Sequence, residues 1–202
     1  MSMPQWVDRI GEFDVQHREI KRPGNKPYYI NSHTMIGVLH TTEGDTVDGA
    51  WTTLNASHSA PHFIAGEGRI IQCRPLTAQG SALKNTAPWY ANTQASIQIE
   101  IVGRSRQKLW LPSDSSLLPT IAIMKWASAD PVNIPLRRPS DTWLDDGSDC
   151  PLPWATASNH RRQAKNIWPS QKGWYMHMEV PGNDHWDCGA MRLREMLAMA
   201  GQ

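Results

Sequence analysis

Short apolar runs and one strict alternation along the chain predict buried β-strands. Residues 35–39 form an apolar run that ends at His40, as a buried strand would. Residues 96–102 alternate strictly, so that three isoleucines face one way while Gln98 and Glu100 face the other. We therefore place Glu100 on the polar face of a strand. The alternative interpretation is a surface glutamate on an edge strand.

The remaining periodicities predict a hairpin, a further strand and three helices. Residues 62–73 contain two apolar segments joined by a glycine-rich turn, which is typical of a β-hairpin. Residues 174–180 predict another strand, and helical spacing of apolar positions is seen in residues 45–55, 117–129 and 190–200. Strands that alternate with helices predict an α/β fold with a mixed sheet.

Two segments lack such a pattern. Residues 1–30 are polar and read as an irregular N-terminal segment, and residues 130–170 are rich in tryptophan and proline and read as a long insertion. An unpatterned stretch of that length inside a domain is usually functional or partly disordered. With 202 residues and no internal repeat, the chain predicts a single domain over 1–202.

Charge and composition exclude some classes of function. The formal net charge is +1, so there is no electrostatic argument for binding nucleic acid or an anionic membrane. No apolar run is long enough for membrane insertion, and the three cysteines form no disulfide framework. The N-terminus lacks the features of a secretory signal. We therefore expect a cytoplasmic protein that reaches any target outside the membrane by another route.

Three of the polar residues suit a catalytic metal. Of eight histidines, His40 closes one predicted strand and His177 lies in another, and Asp187 follows ten residues after His177. Two imidazoles and one carboxylate are a ligand set of catalytic zinc sites, in which a fourth position stays open. Spacing alone leaves ordinary surface or core histidines as the alternative.

Four segments together resemble the superfamily of type 2 amidases and peptidoglycan recognition proteins. In the order in which that family has them, they are residues 38–44 (VLHTTEG), 59–72 (SAPHFIAGEGRIIQ), 96–103 (SIQIEIVG) and 177–189 (HMEVPGNDHWDCG). The resemblance implies a zinc-dependent N-acetylmuramoyl-L-alanine amidase that acts on bacterial peptidoglycan. It also implies a mixed sheet of about five or six strands flanked by helices, with zinc at the bottom of a groove. Two alternatives remain: a non-catalytic peptidoglycan-binding module, and a zinc peptidase that cleaves the cross-linking peptide.

Carried over position by position, the resemblance assigns roles to five residues. His40, His177 and Asp187 are implied as the zinc ligands. Glu100 is implied as the general base, which would take a proton from water and return it to the leaving nitrogen. His185 stands where the family usually has a lysine that stabilises the oxyanion, and its alternative role is to orient a ligand.

Some positions depart from the family pattern. Cys188 replaces a frequent proline, and because some members use a cysteine ligand, a shift of one residue would make Cys188 the third ligand. We favour Asp187, since it follows His185 by two residues as the ligand follows the family's lysine. The usual aromatic residue before His62 is Pro61 here, which leaves Glu100 as the only well-placed base and His62 as a structural residue.

The resemblance also suggests substrate contacts and a biological setting. Thr41, Trp89 and Asn92 are candidates for lining the groove. The insertion at 130–170 resembles phage endolysins, which collect in the host cytoplasm and act on the cell wall once released through the membrane. A cytosolic amidase that recycles wall fragments is the alternative. The oligomeric state stays open, with a monomer as the default.

Overall fold

The computed structural model describes residues 4–23, 29–105, 114–139, 164–188 and 191–202. In chain order, the elements are β1 (Arg9–Ile10), β2 (Phe13–His17), β3 (Ile36–Thr41), α1 (Val47–Ser57), β4 (Phe63–Gly66), β5 (Arg69–Gln72), α2 (Ala91–Gln94), β6 (Ile97–Ile101), α3 (Asp114–Ala127), β7 (Gly173–Met176), a 3-10 turn (His177–Glu179) and α4 (Leu193–Ala200).

The strands form one mixed sheet, in the order β1-β2-β5-β4-β6-β3-β7. The pairs β1–β2 and β4–β5 are antiparallel, and the remaining neighbours run parallel. The predicted α/β fold with a mixed sheet is confirmed. The sheet has seven strands where about five or six are expected, because β1 and β2 extend it at one edge.

Both faces of the sheet are covered. On one face, the three isoleucines of β6 pack in an apolar cluster with residues of α3 and α4. On the other face, Val47 and Ala50 of α1 pack against Ile64 and Ile71 of the hairpin. The strand β6 lies between β4 and β3, and the side chains on its polar face, Gln98 and Glu100, are buried as well. Glu100 is 6% exposed, so the alternative of a surface glutamate on an edge strand is wrong.

The hairpin has the predicted glycine-rich turn. Gly66 pairs with Arg69, so only Glu67 and Gly68 connect the strands. Their φ angles are 50° and 67°, and two successive positive values define a type I′ turn, whose twist matches that of the strands. The predicted hairpin is therefore confirmed.

The helix boundaries differ from the predicted ones by a few residues. The first helix begins at Val47 because the hydroxyl of Thr46 accepts a hydrogen bond from the Gly49 N–H, at 3.1 Å, and so caps the helix. The third begins at Asp114, which places Pro119 inside the helix although a position near its start is predicted. Apolar spacing predicts that a helix exists but carries little information about its ends.

The structure differs from two further expectations, and a third concerns a segment that lies mostly outside the described residues. Strands β1 and β2 lie within residues 1–30, which are predicted to be irregular; β2 has one buried side chain, Val15, and so little periodicity. The prediction of a strand over residues 174–180 that includes His177 is wrong at its end, since β7 ends at Met176 and His177 begins the 3-10 turn. Most of the predicted insertion, residues 140–163, lies outside the described residues. None of the helices among the described residues is long and apolar enough to cross a membrane.

Candidate metal centre

The two candidate histidine ligands meet because β3 and β7 are parallel neighbours. Leu39 of β3 pairs with Met176 of β7. His40 and His177 are the residues that directly follow this pair, so they lie side by side. Parallel strands bring their carboxyl ends to the same edge of a sheet, and side chains that follow them converge there. The segment after the 3-10 turn then returns Asp187 to the same place.

The three side chains point their donor atoms at a common centre. His40 Nδ1 and His177 Nδ1 are 3.0 Å apart, His177 Nδ1 and Asp187 Oδ2 are 3.0 Å apart, and His40 Nδ1 and Asp187 Oδ2 are 3.8 Å apart. In a tetrahedral zinc site with bonds of about 2.0–2.1 Å, neighbouring donor atoms lie roughly 3.3 Å apart. The buried group formed by His40, His177 and Asp187 could therefore bind a metal ion.

The electrostatics of this group favour the protonation states that a metal requires. Burial alone would raise the pKa of Asp187, but His177, His185 and His40 together overcome it and hold the pKa far below its ordinary value. Burial, reinforced by His177, lowers the pKa of His40 well below its ordinary value. Asp187 is thus ionised and His40 neutral at pH 7, and metal ligands must be deprotonated in this way.

Asp187 is held by contacts on both of its oxygen atoms. The Thr41 N–H donates to Oδ2 at 3.3 Å, and His185 Nδ1 lies 3.4 Å from Oδ1. The ring of His185 stacks on that of His177, with centroids 4.4 Å apart and 11° between the planes. Its hydrogen bond to Asp187 raises the pKa of His185. His185 therefore contacts two members of the triad while its side chain remains 59% exposed.

Cys188 lies in a different environment from its neighbour Asp187. Its side chain belongs to the main apolar cluster, together with residues of α3 and α4. Burial raises the pKa of its thiol well above the ordinary value. The thiolate form that binds metals is thereby disfavoured, and this placement agrees with Asp187 rather than Cys188 as the third donor.

Glu100 lies next to the triad on the neighbouring strand. It is the register partner of His40 in the parallel pair β3–β6. Burial, together with the charges of Asp187 and Glu43, raises its pKa to about 8. Its Oε2 atom is buried and has no hydrogen-bond partner among the described residues. Such a carboxyl group can hold or release a proton near neutral pH.

A groove of about 370 Å³ gives access to these side chains. Glu100, His177 and Asp187 line it, as do Thr41 and His185. One wall consists of residues that follow β3, and another is helix α1, through Ala50, Thr53, Leu54 and Ser57. This volume lies within the range of small-ligand sites, so the groove can admit a ligand beside the candidate metal ligands.

Of the three residues predicted to line the groove, the structure places one there. Thr41 is among the lining residues, whereas Trp89 and Asn92 are not among those that the described part of the chain contributes. Asn92 is buried and hydrogen-bonds to Leu83 and to Gln98. Trp89 is half-buried and packs on a neighbouring apolar cluster. His62 is buried, with Nε2 2.9 Å from the Ala78 carbonyl oxygen, which agrees with a structural role.

Sequence reasoning missed Glu43 and the wall formed by α1. Glu43 lines the groove, and its Oε1 accepts hydrogen bonds from the Thr41 hydroxyl at 2.9 Å and from the Ser105 N–H at 2.9 Å. Its position three residues after His40, in a polar segment at a strand end, is a signal that could have singled it out. The wall depends on how α1 packs, which no local pattern encodes.

Comparisons with known proteins support the fold. No family model matches the sequence, and no curated protein matches it. By structure, the chain resembles a bacterial hydrolase over nearly its whole length. That protein is the hydrolase AmiA of Staphylococcus aureus, solved in complex with its ligand: the TM-score is 0.53 at 14% identity, and the match covers 98% of this chain and 95% of AmiA. At this identity the likeness establishes a shared fold.

A second solved structure is more remote. It is human PGRP-IBETAC in complex with glycosamyl muramyl pentapeptide, with a TM-score of 0.38, 14% identity, and coverage of 74% of this chain and 92% of that one.

Proposed function

We propose that this protein is a zinc-dependent N-acetylmuramoyl-L-alanine amidase, which hydrolyses the amide bond between N-acetylmuramic acid and L-alanine in bacterial peptidoglycan. The observation that carries the proposal is the convergence of His40, His177 and Asp187. Two of them, His177 and Asp187, line a groove together with Glu100. The AmiA-like fold and the four sequence segments that resemble the amidase superfamily support it.

In the proposed reaction, the substrate lies along the groove with its scissile carbonyl at the triad. Zinc held by His40, His177 and Asp187 would polarise this carbonyl and make water a better nucleophile at neutral pH. Thr41 lines the groove beside the triad and is the substrate contact that we retain from the three sequence candidates. Its backbone N–H keeps the carboxylate of Asp187 in place.

Glu100 acts as the proton carrier. It accepts a proton from the attacking water and returns it to the nitrogen of the leaving L-alanine. Its buried Oε2, which has no hydrogen-bond partner among the described residues, supports this role. A divalent cation a few ångströms away favours the ionised form of a carboxyl group, so an occupied site brings the pKa of Glu100 down from about 8 and makes it a base at neutral pH.

His185 supports the developing oxyanion. In a neutral ring, an Nδ1–H donated to Asp187 leaves only a lone pair at Nε2, so a hydrogen bond to a negative oxygen requires the imidazolium. The hydrogen bond to Asp187 raises the pKa of His185 and favours that form, whereas a nearby zinc ion opposes it. The contact with Asp187 also orients this ligand.

The experiment that tests the proposal measures zinc content and the release of new N-terminal L-alanine from purified peptidoglycan. Glu100→Gln, which keeps the shape of the side chain, is compared with the wild type, and Glu67→Gln in the β4–β5 turn serves as a matched control. We expect about one zinc per chain in all three proteins, as for a single catalytic site. L-alanine release should fall roughly 10²- to 10⁴-fold in Glu100→Gln alone.

The other outcomes each contradict part of the proposal. A wild type that binds zinc and releases no L-alanine would indicate a binding module or, if another peptide bond is cut, a zinc peptidase. A wild type that binds no zinc would contradict the triad as the metal site and the mechanism with it.

We also propose that the setting is phage-induced lysis of the host cell. The resemblance of residues 130–170 to phage endolysins carries this part. The test is expression in the cytoplasm of a bacterial host, with and without a pore-forming protein in the membrane. Lysis only when the pore is present supports an endolysin, and intact cells with altered wall-fragment pools indicate a recycling enzyme.

A further inference from the structure

We infer that Asn183 is a positioning residue that selects the tautomer of His177, so that this ring presents Nδ1 to the metal. The inference rests on the proposed metal site. It concerns a residue in the loop between the 3-10 turn and Asp187, at a position to which the sequence resemblance assigns no role.

The observation that carries the inference is a buried contact on the far side of the ligand ring. His177 Nε2 lies 3.1 Å from Asn183 Oδ1, and Asn183 is 1% exposed. His177 Nδ1, at the opposite side of the ring, is 3.0 Å from Asp187 Oδ2. Nδ1 of this ring thus faces the other members of the triad, and Nε2 faces the carboxamide of Asn183.

The orientation of the carboxamide is set by backbone groups that cannot change roles. The Lys84 N–H donates to Asn183 Oδ1 at 2.7 Å, and an N–H can only donate. Asn183 Nδ2 donates to the carbonyl oxygens of Pro181, at 3.2 Å, and of Lys84, at 3.4 Å. Turning the carboxamide over would place its NH₂ group against the Lys84 N–H and its oxygen against two carbonyls. Asn183 therefore offers an acceptor to His177.

An acceptor at that position determines where the proton of His177 resides. Because Oδ1 can only accept, the contact is favourable only when Nε2 carries the hydrogen. In the neutral ring, Nδ1 is then bare, and its lone pair points at the place where the triad converges. Without a metal, the other tautomer could donate from Nδ1 to Asp187. It would still leave a bare Nε2 facing Oδ1 in a buried site, at the cost of an unmade hydrogen bond, and it would leave Nδ1 without a lone pair for a metal.

In the described part of the chain, the other histidine of the triad has no such partner. His40 also turns Nδ1 towards the centre, but its Nε2 is buried without a hydrogen-bond partner among the described residues. The tautomer of the triad is therefore enforced at His177 by Asn183. Outer partners of this kind typically raise metal affinity roughly 10- to 100-fold.

The test uses two substitutions that separate positioning from stability. Asn183→Leu removes the acceptor for His177 and also the N–H groups that donate to the carbonyl oxygens of Pro181 and Lys84. Asn183→Asp keeps an acceptor for His177 but sets a carboxylate oxygen against the carbonyls of Pro181 and Lys84, so it also destabilises the loop. Asn85→Ala is the matched control, because Asn85 lies next to Lys84 and its Oδ1 accepts from the Asn92 N–H and not from His177.

We expect both Asn183 variants to lower the melting temperature, while only Asn183→Leu weakens zinc binding, by roughly 10- to 100-fold. Asn183→Asp and Asn85→Ala should bind zinc within about threefold of the wild type, since neither removes the acceptor for His177. Affinity is measured by competition with a chelator at fixed pH. Equal loss of affinity in both Asn183 variants, or none in Asn183→Leu, would overturn the inference.

A second readout does not depend on the metal. Because the carboxylate of Asp187 competes for a hydrogen at His177 Nδ1 when no metal is bound, the protein used is metal-free Asp187→Ala. Its ¹⁵N spectra at pH 8 should show His177 with a protonated Nε2 that exchanges slowly with solvent, because this nitrogen is buried and donates to Asn183. A bare Nε2 in that protein would refute the role of Asn183. If the wild type binds no zinc but Asp187→Ala shows this tautomer, the metal proposal fails while the tautomer assignment stands.

Discussion

In the metal-free protein, Glu100 should contribute a loss of stability that grows as the pH rises. Its pKa of about 8 lies well above the ordinary 4.5 of a glutamate, chiefly because burial disfavours the charged form. An unfolded chain ionises Glu100 near pH 4.5, while the fold keeps the group protonated up to about pH 8. Below the lower value, the group is neutral in both states and makes no difference to stability.

The size of the effect follows from the same two values. Each pKa unit corresponds to about 1.4 kcal/mol, so above pH 8 the ionised carboxylate costs the metal-free fold up to about 5 kcal/mol. Glu100→Gln removes this dependence, because an amide does not ionise in that range. The groups that both proteins share cancel in the comparison.

The assay is urea unfolding of the metal-free wild type and of Glu100→Gln between pH 4.5 and 8.5. The difference in the free energy of unfolding should grow in favour of Glu100→Gln by several kcal/mol over this range, since the ionised carboxylate costs the wild type up to about 5 kcal/mol. With saturating zinc, this difference in the free energy of unfolding should shrink, because a nearby cation favours the ionised form of Glu100. Parallel pH profiles in the absence of metal would refute the reasoning.

Three further predictions concern neighbouring residues. Asp187→Ala should abolish stoichiometric zinc binding while Cys188→Ala retains it, as measured by metal analysis after dialysis; the reverse would make Cys188 the ligand. If the His185 imidazolium supports the oxyanion, activity is present below its pKa and lost as the pH rises through it. His185→Lys should therefore move the alkaline limb of the pH–rate profile upward, and an unchanged limb would contradict the role. Arg138→Met should destabilise the zinc-loaded protein by about 3–5 kcal/mol in denaturant unfolding, because it leaves the buried carboxylate of Glu179 without its ion-pair partner. A loss below about 1 kcal/mol, the value of an exposed pair, would show that the pair is not desolvated.

Much of the scaffold could be predicted from the sequence because its signals are local. The alternation in residues 96–102 predicts both the strand β6 and its isoleucine face, and the pair Glu67 and Gly68 predicts the turn of the hairpin. Periods of two and of 3.6 residues depend only on backbone geometry. The short strand β2, with one buried side chain, carries too little of that signal.

The sequence predicted which residues supply the donor atoms of the candidate site, but it did not predict which residues surround them. The sequence places His40 at a strand end, His177 within a predicted strand and Asp187 ten residues later, and the motif resemblance implies all three as ligands. The structure brings their donor atoms together. Trp89 and Asn92 stand near motif segments, yet neither is among the groove-lining residues that the structure describes. Sequence proximity to a motif does not determine the direction in which a side chain points.

The sequence by itself determined the order of the strands β3 to β7 and of the three longer helices, the polar face of β6 and the chemical types of the donors, because all of these depend on the identity and spacing of nearby residues. Only the tertiary structure decided that Glu100 lies on a covered central strand, where burial raises its pKa, and that Asn183 faces the far nitrogen of His177. Desolvation and hydrogen-bond partners come from residues distant in the chain: the Lys84 N–H that orients Asn183 lies 99 positions away. Such contacts form only when the whole sheet and its loops have assembled.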